Sequence, residues 1–142
     1  MSIIDNLVIR PFQMTDKNTV IDLWRRCNLI VPWNNPEEDI LTKVTFQPDL
    51  FLVGTLGGHV VAAVMAGYEG HRGWINYLAV DPDYQRQGIG RRMMEKAQET
   101  LHALGCPKIN LQVRETNTGV IAFYKKIGFK QDNVISLGKR LD

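Results

Sequence analysis

The sequence predicts an α+β (mixed α/β) fold, with an antiparallel meander first and a strand–helix–strand–helix unit second. Three observations carry this. Two β-branched runs, Leu50–Leu56 and His59–Gly67, flank Gly57-Gly58, a two-residue hairpin signal. A long helical pattern from Gly88 to Leu104 separates the strand-like runs Trp74–Val80 and Lys108–Val113. A helical crossover joins parallel strands, so those two runs are expected to lie parallel in one sheet.

The elements follow in order. Leu7–Arg10 is a short strand stopped by Pro11. From Thr15 or Asp16 to Asn28 the pattern is helical, with Val20, Leu23, Trp24 and Cys27 on one face. Residues 31–36 form a loop that ends in a helix start. Asn35 is the N-cap, Pro36 the first helical residue and Glu38 the third after the cap, and the helix runs to about Phe46. After the hairpin and the strand to Val80, Asp81-Pro82-Asp83 breaks the chain. The next helix shows Ile89, Met93, Ala97, Leu101 and Leu104 on its apolar face, with Gly105 as its stop. A last helix runs from Thr116 or Asn117 to Ile127, closed by Gly128. Phe129–Gln131 and Val134–Leu137 read as short strands around Asp132-Asn133.

Composition excludes several classes of function. The 142 residues hold 17 Lys+Arg against 15 Asp+Glu, a net charge of +2, with three His and two Cys. One domain, 1–142, is the expectation. The charge is too slight for a nucleic-acid footprint. Cys27 and Cys106 lack metal or disulfide spacing, so neither a metal nor a disulfide framework is expected. No signal-like segment and no membrane-length apolar run is visible, and the expected location is cytoplasmic, with no membrane partner.

The chemistry is concentrated in residues 78–92. A strand, a turn and a glycine-containing helix start present unpaired N–H groups and a positive dipole end, a ready anion site. Gly88 and Gly90 keep the backbone clear of Cβ atoms, and Arg86, Arg91 and Arg92 add charge for phosphates. The same glycines also suit a plain turn, with the arginines on a solvated helix face. No Walker A or dinucleotide fingerprint is present.

Gln85-Arg86-Gln87-Gly88-Ile89-Gly90 resembles the Q/R-x-x-G-x-G/A motif of the GCN5-related N-acetyltransferases (GNAT). Asn117 with Phe123-Tyr124-Lys125-Lys126-Ile127-Gly128-Phe129 is similar to that family's second segment. The order of elements agrees along nearly the whole chain. In its acetyl-CoA motifs the chain also resembles ribosomal-protein N-terminal alanine acetyltransferases. The resemblance implies a twisted mixed sheet of six or seven strands flanked by four helices. It also implies acetyl transfer from acetyl-CoA, as co-substrate, to a primary amine by direct attack in a ternary complex. Leu78, Ala79 and Val80 would pair with the pantetheine arm. Arg86, Gln87, Gly88, Ile89, Gly90 and Arg91 would hold the pyrophosphate, and Asn117 would add a cofactor contact besides capping its helix.

Tyr124 is the expected general acid: a phenol stays protonated at neutral pH and can supply the departing thiolate with a proton. It also reads as a core aromatic that only touches the cofactor. The base is less defined. Where ribosomal-protein acetylating relatives carry a glutamate, this chain has Gln112, which accepts no proton. Glu69 leads the remaining candidates, beside His71 or a water relay. The acceptor is a small-molecule or peptide amine, and the loop 28–36, with Trp33 and Asn34, would wall its pocket. Acetylation of a protein N-terminus or lysine, and a non-catalytic acyl-CoA-binding module, remain alternatives. The chain is expected to be a monomer or homodimer.

Overall fold

The computed structural model describes residues 2–142. Its contacts fall into two compact units, one ending at Leu111 and one running from Gln112 to Asp142.

The first unit is a five-stranded sheet in the order β1-β2-β3-β4-β5. Its strands are β1 (Val8–Pro11), β2 (Phe51–Leu56), β3 (His59–Tyr68), β4 (Gly73–Val80) and β5 (Ile109–Leu111). The first four pair antiparallel and β5 lies parallel to β4, as the helical crossover requires. Helices α1 (Lys17–Arg26) and α2 (Pro36–Phe46) precede the hairpin, and α3 (Ile89–Ala103) forms the crossover. The Asn35 side chain caps α2 as its sequence predicts, accepting the Glu38 N–H at 3.2 Å.

Alternation along β2 and β3 sorts the core into two layers. Phe51, Val53, Ala63 and Met65 join Val20, Leu23 and Trp24 of α1 and Ile40 of α2. The opposite face takes α3, whose Ile89, Met93, Ala97 and Leu101 are all buried. Leu104, expected on that face, is exposed, because the chain turns away at the left-handed Gly105 (φ 86°).

β3 outruns β2. The last β2 pair on that side is Phe51 with Met65, so Ala66–Tyr68 lack a strand partner there. Side chains of the α2 end take over. The Gln47 amide bonds both the Tyr68 N–H (3.1 Å) and its carbonyl (2.8 Å), and Lys43 Nζ donates to the Ala66 carbonyl. Burial lowers the pKa of that ammonium to about 8.

The second unit holds α4 (Thr118–Lys126) and no strand. The expected strands Phe129–Gln131 and Val134–Leu137 do not form, so the sheet has five strands rather than six or seven. Val134, Ile135 and Leu137 stay exposed, and arms of three or four residues with no apolar face covered do not hold a hairpin. The four expected helices are present.

Two predictions follow from this packing. A Cβ at Gly73 would lie 2.8 Å from Cys106 Sγ and 3.2 Å from Leu101. Gly73→Ala should therefore lower unfolding stability by about 1–3 kcal/mol in urea titrations. Asp16 is buried and accepts two bonds from Arg10 (2.8 and 3.0 Å), which hold its carboxyl below the usual range. The stability this adds is complete above the unfolded-state pKa of about 4 and is lost as pH falls through the lowered folded value. Asp16→Asn should flatten that part of the acid limb.

Candidate active site

The site is built where β4 runs on past β5 and bulges against β3. Ala63 pairs with Ala79 and Met65 with Asn76, so β4 spends one more residue than β3 across this stretch. The extra residue makes a bulge, at which Tyr77 adopts a left-handed φ of 54°. That conformation costs a side-chain-bearing residue roughly 1–2 kcal/mol, so something must hold it. Tyr77 stacks on Trp24 with centroids 3.9 Å apart, and its hydroxyl donates to Asp39 Oδ2 at 2.6 Å. Burial and the Asp39 carboxylate push the Tyr77 pKa well up, so the phenol keeps its proton. Trp24 itself is wholly buried, and its Nε1–H finds no acceptor among the described residues.

On the far edge of β4, β5 pairs only with Gly73, Trp74 and Ile75. From Asn76 to Val80 that edge meets no strand among the described residues. Leu78, Ala79 and Val80 lie on this open stretch, where an extended ligand bearing amides could add itself as a strand does.

The open edge runs straight into the start of α3. Arg26 fastens the turn between them, bonding Asp81 at 2.7 Å and Asp83 at 3.2 Å. The Cys27 thiol and the Gln85 amide both donate to the Val80 carbonyl, at 3.2 and 3.0 Å. Arg86 (φ 63°) and Gly88 (φ 86°) turn the chain left-handed into the helix. No side chain caps α3, and Gly88, its N-cap, leaves that end clear. Ile89, Gly90 and Arg91 supply the first-turn N–H groups, while the Arg92 N–H is already bonded to Gly88 at 3.1 Å. Arg86, Gln87 and Arg91 stay exposed around that end, and Ile89 is buried beneath it. An open backbone edge leading to an uncapped helix start fits a ligand that is part amide chain, part phosphate.

The comparisons with known proteins agree with that geometry. The model described as the acetyltransferase (GNAT) family matches residues 17–129. The chain belongs to that family. Acetyl transfer is the reaction that membership carries. An acetyltransferase of Sodalis glossinidius (strain morsitans) is 50% identical over 134 residues, covering 94% of each chain. One of Pectobacterium atrosepticum is 48% identical over 133 residues, again 94% of each. Among solved structures, Ard1 from Thermoplasma volcanium has a TM-score of 0.79 at 26% identity, covering 88% of this chain and 83% of that one. The ribosomal-protein-S18-alanine N-acetyltransferase from Escherichia coli has a TM-score of 0.75 at 27% identity, covering 89% and 79%.

The other expected residues fall as follows. Tyr124 is buried in the second unit, edge-on to Phe123 (5.1 Å) and Phe129 (5.5 Å). Burial pushes its pKa up to about 12. Asn117 caps α4, accepting the Val120 N–H at 3.4 Å. Gln112 donates its amide to Ser136. Glu69 stands in the β3–β4 loop, where its carboxylate accepts the N–H groups of Arg72 and His71. Those bonds hold its carboxyl below the usual range and suit it to ordering the turn more than to taking a proton. Among the described residues no His, Cys, Asp or Glu cluster could hold a metal ion. No described helix is long and apolar enough to cross a membrane.

Tyr77 and Asp39 are what sequence reading missed. The tyrosine lies in the middle of a strand pattern, and its carboxylate partner is 38 positions away. Gly88→Ala places a Cβ at φ 86°, so unfolding stability should fall by about 1 kcal/mol in urea titrations.

Proposed function

We propose that residues 1–142 act as one N-acetyltransferase domain that moves the acetyl group of acetyl-CoA to a primary amine by direct attack in a ternary complex. The observation that carries this is the β4 edge left open from Asn76 to Val80 and leading to an uncapped helix start.

Acetyl-CoA supplies an acetyl group activated as a thioester. Leu78, Ala79 and Val80 bind its pantetheine arm through their backbone. The backbone N–H near Ala79 or Val80 would polarise the thioester carbonyl and stabilise the negative charge that develops on its oxygen. Arg86, Gln87, Gly88, Ile89, Gly90 and Arg91 hold the pyrophosphate, and Asn117 adds a contact from its helix start. Tyr124, with a pKa of about 12, carries a proton at every physiological pH and donates it to the departing thiolate.

We assign no side chain as base. Glu69 is occupied by the amides of its loop; the attacking amine becomes neutral through its own ionisation, and the proton it sheds as the amide forms passes through water and restores the Tyr124 phenol. The acceptor is a small-molecule or peptide amine, and the setting is cytoplasmic.

Three measurements check this reading. Acetyl-CoA at 100 times its Kd should stabilise the protein by about 2.7 kcal/mol in thermal melts, and no shift would remove the proposal. Tyr124→Phe should lower kcat about 100-fold with acetyl-CoA affinity within a few-fold; an unchanged kcat would discard the acid role. With a primary alkylamine of pKa about 10.4, kcat/KM should rise about tenfold per pH unit through neutrality. A plateau starting below pH 8 would instead reveal a base.

A further inference from the structure

The bulge changes which side chains face α1 and α2. Gly67 pairs with Trp74 and looks onto Gln47 and Lys43 of the α2 end, so Trp74 shares that face. Asn76 pairs with Met65, which sits in the α1–α2 core layer, so Asn76 shares it too. The inserted residue then brings Tyr77 to the same side, stacked on Trp24. Three consecutive positions of this face, 74, 76 and 77, thus border one another, and Trp74 and Asn76 are exposed.

Asp39 is the carboxylate on this face. It is half-buried, its bonded partner is the Tyr77 hydroxyl at 2.6 Å, and no Lys or Arg among the described residues pairs with it. Lys43, one turn on, gives its ammonium to the Ala66 carbonyl instead. A half-buried carboxylate with one neutral donor gains most from a cation, and the exposed Trp74 indole on the same face offers a second surface for a cationic ligand.

We propose that Asp39 determines acceptor specificity by binding a cationic group of the acceptor other than the nitrogen acetylated, so that the preferred substrates carry at least two amines. The inference rests on the reaction proposed above, which puts the acetyl group at the β4 bulge. Asp39 stands a tyrosine side chain away from that backbone. This is too far to take the proton of a nitrogen attacking there, and it suits a second ammonium held at the far end of a short aliphatic chain. Tyr77 is a positioning residue: it fixes Asp39 and the bulge with one side chain.

Calorimetric titration of CoA-bound protein with 1,6-diaminohexane and with hexylamine tests this. The diamine should bind at least tenfold more tightly than the monoamine. Asp39→Asn keeps an acceptor for the Tyr77 hydroxyl and removes only charge. It should abolish the preference, leaving hexylamine and acetyl-CoA affinities within twofold. Tyr77→Phe should reduce the preference in part. Equal binding of the two amines, binding of neither, or an Asp39→Asn variant that weakens both alike would overturn the proposal. Failure of the acetyl-transfer reading is a separate result, seen as absent stabilisation of the unaltered protein by acetyl-CoA in melts.

Discussion

Tyr77 sits in a backbone conformation that an aromatic residue avoids, and the site depends on its being kept there. A column of rings does the holding. Phe12 stacks on Phe51 at 4.3 Å, Phe51 lies 6.3 Å from Trp24, and Trp24 stacks on Tyr77 at 3.9 Å. A stacked pair contributes about 0.5–1.5 kcal/mol beyond its burial, and a hydrogen bond to a carboxylate about 1.5–3. Together these exceed the roughly 1–2 kcal/mol of the left-handed turn, even after discounting for partial exposure. The strain is thus held by packing that begins at the far side of the sheet.

The bulge has two consequences for one strand. It lies just past Ile75, where the pairing of β4 with β5 ends and a backbone edge stands open, and it reverses the alternation of side chains, which puts Tyr77 on the face of Trp74 and Asn76. The open edge would be of little use if its far end wandered. Arg26 prevents that by bonding Asp81 and Asp83 at once, so the last turn of α1 fixes the approach to α3. One helix therefore sets both ends of the open stretch: Trp24 pins its bulge and Arg26 its exit.

Much of this was legible in the sequence because it is encoded locally. The Gly57-Gly58 hairpin, the Asn35 cap, the buried stripe of α3 and the glycine at its start are all short-range patterns, and each element appears within a residue or two of its expected place. The family resemblance also rests on short motifs. What was not legible is what distant residues do to one another. The bulge arises from a register mismatch between β3 and β4, invisible in either strand alone. Val134–Leu137 has strand-like composition, but composition does not say whether a partner covers it. Glu69 looked like a free carboxylate until its loop folded around it.

α2 explains why a face of the sheet can stand open at all. An uncovered sheet end normally invites another strand, because its N–H and C=O groups lack partners. Here Lys43 and Gln47 satisfy the Ala66 and Tyr68 backbone with side chains, so α2 closes that edge of β3 without extending a strand over it. One turn earlier, Asp39 reaches the bulge from the same helix face. The spacing of four between 39, 43 and 47 aligns all three with the sheet. The helix that seals the end of β3 thereby also carries a carboxylate to the bulge of β4, where it accepts the Tyr77 hydroxyl.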